Sequence, residues 1–218
     1  MVLNIIVSLV FIIGVLLIAW TSLSYFTTRG IEEPKYALVK KYPDFEIREY
    51  FPYIIAYTDV VNTFNGSSNA GFRILANYIF GGNKSSNKIK MTAPVIQEPT
   101  SEKIEMTTPV IQEKRKNSYR ITFIMPSKYT LSTLPQPIDP KVKIKEVEKE
   151  IRAVYTFRGW VTEKRVNTKR ESFIRLLEAN NLVYQQIKLA QYDPPFTPPY
   201  MRKNELHATL NGFHQQEI

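Results

Sequence analysis

Few side chains in this sequence have the chemistry of a catalytic or metal-binding group. The chain has 218 residues, two histidines and no cysteine, which excludes thiolate catalysis, disulfides and cysteine-ligated metals. His214 lies in the C-terminal tail, and His207 lies between the apolar Leu206 and Ala208 of a predicted strand. The alternation predicts that His207 faces solvent together with Glu205. No nucleophile motif, metal-ligand spacing or glycine-rich phosphate loop stands out, so we predict that the protein is not an enzyme.

The composition favours binding over catalysis. The chain has 13 Tyr, 12 Phe and 2 Trp, and aromatic side chains line an apolar cleft as readily as they fill a core. The net charge is +9, and all of it falls after residue 28. Such a charge is explained either by solubility or by attraction to anionic lipid or to a ligand that carries carboxylates. The basic residues are scattered and no motif that reads RNA or DNA is present, so no nucleic-acid partner is expected.

The clearest local pattern is a helix that ends at two glycines. The segment Ala70–Phe80 has an apolar face at helical spacing, formed by Phe72, Leu75, Ala76 and Ile79. Asn69 is the predicted N-cap and Gly81-Gly82 the predicted stop. Because Asn83-Lys84 follow, the glycines also resemble a phosphate cradle, but phosphates bind at helix N-termini and these glycines follow a C-terminus. We therefore favour the capping role.

An internal repeat follows the helix. Lys88–Glu98 reads KIKMTAPVIQE and Lys103–Glu113 reads KIEMTTPVIQE, and only two positions differ. The proline in each copy predicts an extended entry followed by a short strand. We expect the two copies to form an antiparallel hairpin with Pro99–Glu102 at the turn.

The N-terminal segment, residues 1–28, is predicted to be a transmembrane anchor. It carries no charged side chain, and Val2–Leu23 is long enough to cross a hydrocarbon layer of ~30 Å as a helix. We predict one uninterrupted helix over residues 2–25 that stands clear of the folded domain. The alternative is a signal peptide cleaved near Tyr25. No Lys or Arg precedes the apolar run and the run is long, which favours the anchor.

The flanking charges predict the orientation of this anchor. No Lys or Arg precedes the span, whereas Arg29, Lys35, Lys40 and Lys41 follow it. The positive-inside rule then places the N-terminus outside and the domain in the cytoplasm, as a single-pass membrane protein.

The remaining chain alternates strands with a second helix, predicted over Thr168–Asn180. Strands are predicted at Phe45–Tyr50, Tyr53–Val61, Tyr119–Met125, Val142–Val147, Ile151–Phe157, Val183–Tyr192 and Glu205–Leu210. Val142–Val147 and Ile151–Phe157 are expected to pair with each other. Residues 47–57 align without gaps on residues 144–154, and each match leads through a helix to two more strands. The fold class is therefore predicted as α+β: two ββαββ pseudo-repeats, joined at Leu131–Pro140, that bury their sheet faces against each other and two flanking helices.

Several separated motifs resemble the SOUL family of haem-binding proteins. They are AGFR-x-LA-x-YIFGGN from Ala70, the paired K-I-x-MT-x-PVIQE segments, Phe123–Pro126 with Tyr129–Leu131, Tyr192–Pro195 and Arg202–Glu205. The resemblance covers residues 33–210 and leaves 211–218 as a C-terminal tail. It implies an antiparallel, distorted barrel-like sheet with two helices outside.

The resemblance also implies where haem binds. The family is thought to hold it between the first domain helix and the proline-rich segment near the C-terminus, which implies contacts to Arg73, Tyr78, Lys90, Met91 and Arg202. For some members a histidine ligand is proposed, but this sequence has no histidine before residue 207. The remaining candidate iron ligands are Met91, Met106, Met125 and Tyr78.

The leading hypothesis is therefore a membrane-anchored haem or tetrapyrrole carrier or buffer without catalytic activity. The alternative is a small-molecule-sensing or protein-interaction module, because the two-half fold also resembles the effector-binding domains of bacterial multidrug-responsive regulators. An acid buried in the ligand cleft would favour cationic ligands and repel haem propionates. A third hypothesis is an enzyme that acts on tetrapyrroles.

Overall fold

The computed structural model describes residues 2–28, 30–85 and 101–213. Three helices are present in these ranges: α1 (Val2–Thr28), α2 (Phe64–Ile79) and α3 (Glu163–Ala179). The strands are β1 (Tyr36–Lys41), β2 (Glu46–Tyr50), β3 (Tyr53–Val60), β4 (Asn83–Lys84), β5 (Val110–Lys114), β6 (Tyr119–Ile124), β7 (Gln136–Pro137), β8 (Lys143–Val147), β9 (Glu150–Arg158), β10 (Tyr184–Gln191) and β11 (Lys203–Leu210). The first copy of the repeat lies outside the described residues, and so does the predicted hairpin with it.

Nine of these strands form one antiparallel sheet in the order β1-β2-β9-β11-β10-β5-β6-β3-β8. The expected pairing of the two strands at 142–157 is wrong. β8 pairs with β3, whereas β9 pairs with β2 and β11. β8 and β9 are consecutive in sequence but are not neighbours in the sheet, because each pairs with a strand from the first half of the chain. This exchange leaves both edges of β3 and β9 hydrogen-bonded.

The registers of the two exchanged pairs correspond. In one pair Ile47 lies opposite Ala153, and in the other Ala56 lies opposite Ile144. Residues 47–57 align on residues 144–154 with an offset of 97, so position 47 corresponds to 144 and position 56 to 153. The pair 47–153 is therefore equivalent to the pair 144–56.

Helix α2 begins earlier than its apolar spacing predicts. Thr63, not Asn69, is the N-cap, and its Oγ1 accepts a hydrogen bond of 3.2 Å from the amide of Gly66. Phe64 is buried, so tertiary packing extends the helix over the polar residues before Ala70, which the apolar periodicity did not include. The predicted glycine stop is confirmed: the helix ends at Ile79, and Gly81 has a φ of +120°, a conformation that favours glycine.

Helix α3 likewise begins five residues before its predicted start. Thr162 is its N-cap and accepts a hydrogen bond of 3.3 Å from the amide of Arg165. The helix buries Val166, Phe173 and Leu177 against the sheet, while α2 buries Leu75, Tyr78 and Ile79.

The sheet is curled enough that its strands near one edge meet those near the other. Arg152 of β9 donates a hydrogen bond from Nη2 to the hydroxyl of Tyr53 on β3, although four strands lie between them in the sheet. The face opposite the helices is therefore enclosed. Arg48, Arg152, Glu205 and His207 are all buried there.

Helix α1 has 27 residues and is a candidate membrane span: its most apolar 18-residue stretch has a mean hydropathy of 3.0, and none of that stretch is buried. The helix is uninterrupted, as predicted. The expectation that it stands clear of the domain is wrong for its last turns. Trp20 donates from Nε1 to the carbonyl of Phe196 at 2.7 Å, and Thr21 Oγ1 lies 2.6 Å from the hydroxyl of Tyr200.

Candidate functional site

A cavity of about 470 Å³ opens at one end of the curled sheet. We call it the mouth cavity. Its walls come from the segment before β1, the turn between β2 and β3, and the loop after β6. It is lined by Glu32, Glu33, Pro34, Lys35, Phe51, Pro52, Tyr53, Ile54, Thr107, Ile124, Met125, Pro126, Ser127, Tyr129, Thr130, Leu131, Ser132 and Glu146. A volume of this size lies within the roughly 300–1,000 Å³ typical of small-molecule sites.

The inner wall of the mouth cavity is mainly apolar. Phe51, Ile54, Ile124 and Met125 line it, and Met125 is 4% exposed. Met125 directly follows the last residue of β6, Ile124. Its backbone amide donates a hydrogen bond of 2.8 Å to the carbonyl of Ile54, which fixes its position. Among the candidate iron ligands that the structure describes, Met125 is the one that lines this cavity.

The rim of the cavity is acidic. Glu32, Glu33 and Glu146 are exposed carboxylates of the lining, and Lys35 is the single cation among the described lining residues. Glu32 Oε1 accepts a hydrogen bond of 3.0 Å from the amide of Ser127, and Glu33 lies 3.3 Å from Lys203 Nζ. The rim therefore attracts cationic groups more than carboxylates.

Two polar side chains are held in place at this wall. Thr107 donates its hydroxyl hydrogen to the carbonyl of Ile124, and Tyr129 donates to Glu102 at 2.6 Å. Burial, together with the hydrogen bond to Glu102, raises the pKa of Tyr129 to about 12. The phenol is therefore protonated at neutral pH and is a poor anionic ligand.

The residues implied by the family resemblance lie elsewhere where the structure describes them. Arg73 is exposed on α2, whereas Tyr78 is 1% exposed and donates its hydroxyl hydrogen to the carbonyl of Pro135 at 2.7 Å. Arg202 donates from Nε to the carbonyl of Thr197 at 2.7 Å. These three residues do not line the mouth cavity. Lys90 and Met91 fall outside the described residues.

A buried polar network lies on the enclosed face of the sheet, behind the mouth cavity. Its centre is Glu205, which is fully buried. Arg48 lies 3.1 Å from its Oε1, His207 donates from Nε2 to its Oε2 at 2.8 Å, and Tyr192 donates to the same carboxylate. Burial alone would raise the pKa of Glu205, but the hydrogen bond from His207 and the charges of Arg48 and Lys203 hold it well below its usual range.

The predicted solvent exposure of His207 is wrong. Its side chain is 2% exposed, because the curl of the sheet encloses the face that the alternation assigned to solvent. Arg152 Nη1 lies 3.3 Å from Nδ1. Arginine can only donate, so Nδ1 is an acceptor, Nε2 carries the hydrogen, and the ring is neutral. Burial, reinforced by the charges of Arg152 and Arg48, lowers the pKa of His207 despite its bond to Glu205.

This neutral histidine predicts a pH dependence of stability. Unfolded His207 takes up a proton below about pH 6.5, whereas the buried ring does not. The free energy of unfolding should therefore fall as the pH drops from 7 to 5, by at most about 1.4 kcal/mol per pH unit. Urea unfolding of the full chain in detergent, followed by near-ultraviolet circular dichroism, measures this slope. His207→Gln should flatten it, and equal slopes for the two proteins would contradict the assignment.

Two kinds of chemistry receive no support from the described part of the chain. No group of three or more His, Asp or Glu residues there could hold a metal ion. The carboxylate of Glu205 and the imidazole of His207 are buried and are not among the residues that line the mouth cavity.

Comparison with solved structures supports the fold. The C-terminal domain of EcmrR has a TM-score of 0.53 at 9% identity, over 84% of this chain and 100% of that one. EcmrR in its DNA complex reaches 0.49 at 10% identity, over 97% and 70% of the two chains. A putative transcription regulation protein from Staphylococcus aureus MU50 reaches 0.45 at 10% identity, over 78% and 99%. The first likeness places the chain among α+β proteins with a curled antiparallel half-barrel.

Sequence comparison identifies the family. No curated protein matches the chain by overall sequence similarity. The model of the SOUL haem-binding proteins matches residues 31–209, which contain α2, α3 and the curled sheet except its last residue, Leu210. The chain therefore belongs to the SOUL haem-binding protein family.

Proposed function

We propose that this protein is a membrane-anchored, non-catalytic haem or tetrapyrrole carrier or buffer, and that the ligand binds in the mouth cavity. The observation that carries the proposal is an apolar cavity of about 470 Å³, with Met125 in its wall, in a member of this family. Burial of a flat macrocycle against such walls contributes about 25 cal/mol per Å² of apolar surface. The affinity therefore comes mainly from apolar contact.

The residues of the mouth cavity suit the macrocycle and the iron of haem better than its propionates. Phe51, Ile54 and Ile124 suit the macrocycle, and the thioether of Met125 is a known type of axial donor. The propionates find Lys35 among the lining residues but also meet the acidic rim. Arg73, Tyr78, Lys90, Met91 and Arg202 remain predicted contacts of the alternative site, between α2 and the proline-rich segment. There the cations would face the propionates, and Tyr78 and Met91 would lie on the iron side.

We also propose the finer arrangement of the chain. The corresponding registers of β2 on β9 and of β8 on β3 support two ββαββ halves. The apolar α1 supports a single-pass anchor, and the cations that follow it support a cytoplasmic domain.

Hemin titration of the full chain in detergent tests the proposal. We expect a Soret shift that saturates with one hemin per chain, and we expect Met125→Leu to alter the spectrum more than the affinity. Ile124→Leu is the matched control, because it keeps the apolar wall and changes no donor atom. Binding no tighter than that of an unrelated basic membrane protein would end the carrier hypothesis. If the spectrum of Met125→Leu is unchanged, Met125 is not the iron ligand, and the carrier hypothesis stands.

The acidic rim favours a second candidate function, sensing of a lipophilic cation. Glu32, Glu33 and Glu146 would attract such a ligand and repel propionates. Calorimetric titration with tetraphenylphosphonium distinguishes the two functions. Saturable binding of the cation that hemin does not displace, with no Soret shift, would favour the sensing module.

A further inference from the structure

Exposed aromatic side chains surround the point where α1 meets the domain. Phe196 and Tyr200, both in the proline-rich loop Asp193–Tyr200, are 50% and 57% exposed. Trp160, which follows β9, is 51% exposed. Side chains of this size are costly to leave in water, and Trp and Tyr are the residues enriched where a membrane meets water.

The contacts of α1 place this loop at a defined depth. Trp20 and Thr21 hold the backbone of Phe196 and the hydroxyl of Tyr200 at 2.7 and 2.6 Å. Trp20 follows Val2 by 18 residues, which is about 27 Å along a helix at 1.5 Å per residue. If α1 spans a hydrocarbon layer of ~30 Å, these contacts lie near its boundary. The loop then lies at the level of the lipid headgroups.

The loop is held rigidly enough to present its aromatic residues. Arg202 donates from Nε to the carbonyl of Thr197 and from Nη2 to that of Pro195, and its guanidinium lies 4.0 Å from the ring of Trp160. Arg158 donates to the carbonyl of Met201 at 3.1 Å. These bonds join Trp160 to the loop as one surface.

The charge around this surface is positive. Residues 158–169 and 193–203 contain two acids, Glu163 and Asp193, against six cations: Arg158, Lys164, Arg165, Lys169, Arg202 and Lys203. Of these cations, Lys203 is paired with Glu33. A groove beside Trp160 is lined by Lys164, Arg165 and Lys169. Such a basic rim next to exposed aromatic residues matches the anionic surface of a membrane.

We propose that the proline-rich loop and Trp160 form a docking surface for an anionic lipid bilayer, so that the domain lies against the membrane and does not swing freely on its anchor. The proposal rests on the proposed membrane anchor. The aromatic side chains enter the headgroup layer, and the cations of the groove face lipid phosphates.

The test uses the full chain reconstituted in vesicles. Because the sequence has no cysteine, single cysteines can be labelled with the environment-sensitive dye NBD. Phe196→Cys reports the loop and keeps the backbone carbonyl that Trp20 binds. Leu16→Cys reports the anchor. Val183→Cys is the matched control, since Val183 is 67% exposed next to the opposite end of β10.

In vesicles with anionic lipid we expect the Phe196→Cys probe to be quenched by lipids with a nitroxide near the headgroup, about twofold more than by lipids with a deep nitroxide. The Val183→Cys probe should not be quenched. Lys164→Glu with Lys169→Glu should reduce the loop signal in anionic vesicles but not in zwitterionic ones.

The possible failures of this experiment are distinguishable. A quenched Leu16→Cys probe with an unquenched Phe196→Cys probe would overturn docking and leave the anchor intact. If the Leu16→Cys probe is also unquenched, the anchor fails and docking fails with it. Concentration-dependent quenching between labelled chains, without quenching by lipid, would assign the surface to a second copy of the chain and overturn the proposal.

Discussion

Hemin should bind at least about tenfold more weakly when Ser127 is replaced by tryptophan, a loss of about 1.4 kcal/mol. Ser127 is an exposed residue of the mouth cavity, and its backbone amide holds Glu32 at 3.0 Å. Ser127→Trp keeps that amide and fills the cavity with an indole, so the macrocycle loses the space that its apolar contacts require. Soret titration of the full chain measures the change in affinity.

Two controls show whether the effect comes from the cavity. Ser127→Ala removes the hydroxyl without filling space and should bind hemin normally. Ser118→Trp places the same indole beyond the start of β6, at the opposite end of that strand. If Ser127→Trp binds hemin as tightly as these controls, haem does not occupy the mouth cavity, and the surface between α2 and the proline-rich loop becomes the better site.

The second large effect concerns the buried network. Glu205→Gln should lower the free energy of unfolding by about 3–5 kcal/mol. The carboxylate is fully buried, and its two oxygens accept from Arg48, His207 and Tyr192. The NH2 group of the amide cannot accept, so one oxygen's donors lose their acceptor, and Arg48 keeps only the half-buried Glu46 as a counter-charge. Because the pKa of Glu205 is lowered in the fold, its stabilisation is complete above about pH 4.5 and is lost as the solution becomes more acidic. Glu205→Gln should remove that share of the acid sensitivity.

Urea unfolding of the detergent-solubilised chain, at pH 7 and at pH 4, measures both effects. The matched control is Glu148→Gln, which neutralises an exposed carboxylate in the turn between β8 and β9 and should change stability by less than about 0.5 kcal/mol. Equal stability of the Glu205→Gln and Glu148→Gln proteins would show that the network does not stabilise the fold.

Local patterns in the sequence determined much of the secondary structure. The apolar spacing of Leu75 and Ile79 with Gly81 after them predicted α2, because helix periodicity and glycine capping act within a few residues. The helix starts were missed, since Thr63 and Thr162 cap segments whose helicity depends on burial against the sheet. The uncharged run at the N-terminus predicted α1, because this pattern too is carried by neighbouring residues.

The candidate site was less predictable. Met125 was one of four candidate iron ligands in the sequence, but no pattern placed it beside Glu32 and Phe51. Those residues meet because β3 exchanges partners and pairs with β6 and β8, a long-range choice that local spacing does not encode.

The sequence by itself determined most of the helices and longer strands, the family and the apolar N-terminal segment, because these depend on periodicity and on motifs carried by neighbouring residues. Only the tertiary structure determined whether the polar face of β11 is buried or exposed. Alternation assigned His207 and Glu205 to solvent, which holds for a flat sheet with one covered face. In the curled sheet Tyr53 reaches Arg152 and closes that face, so the same residues become a buried, hydrogen-bonded network. Curvature arises from the pairing of all nine strands together, and no single strand carries it.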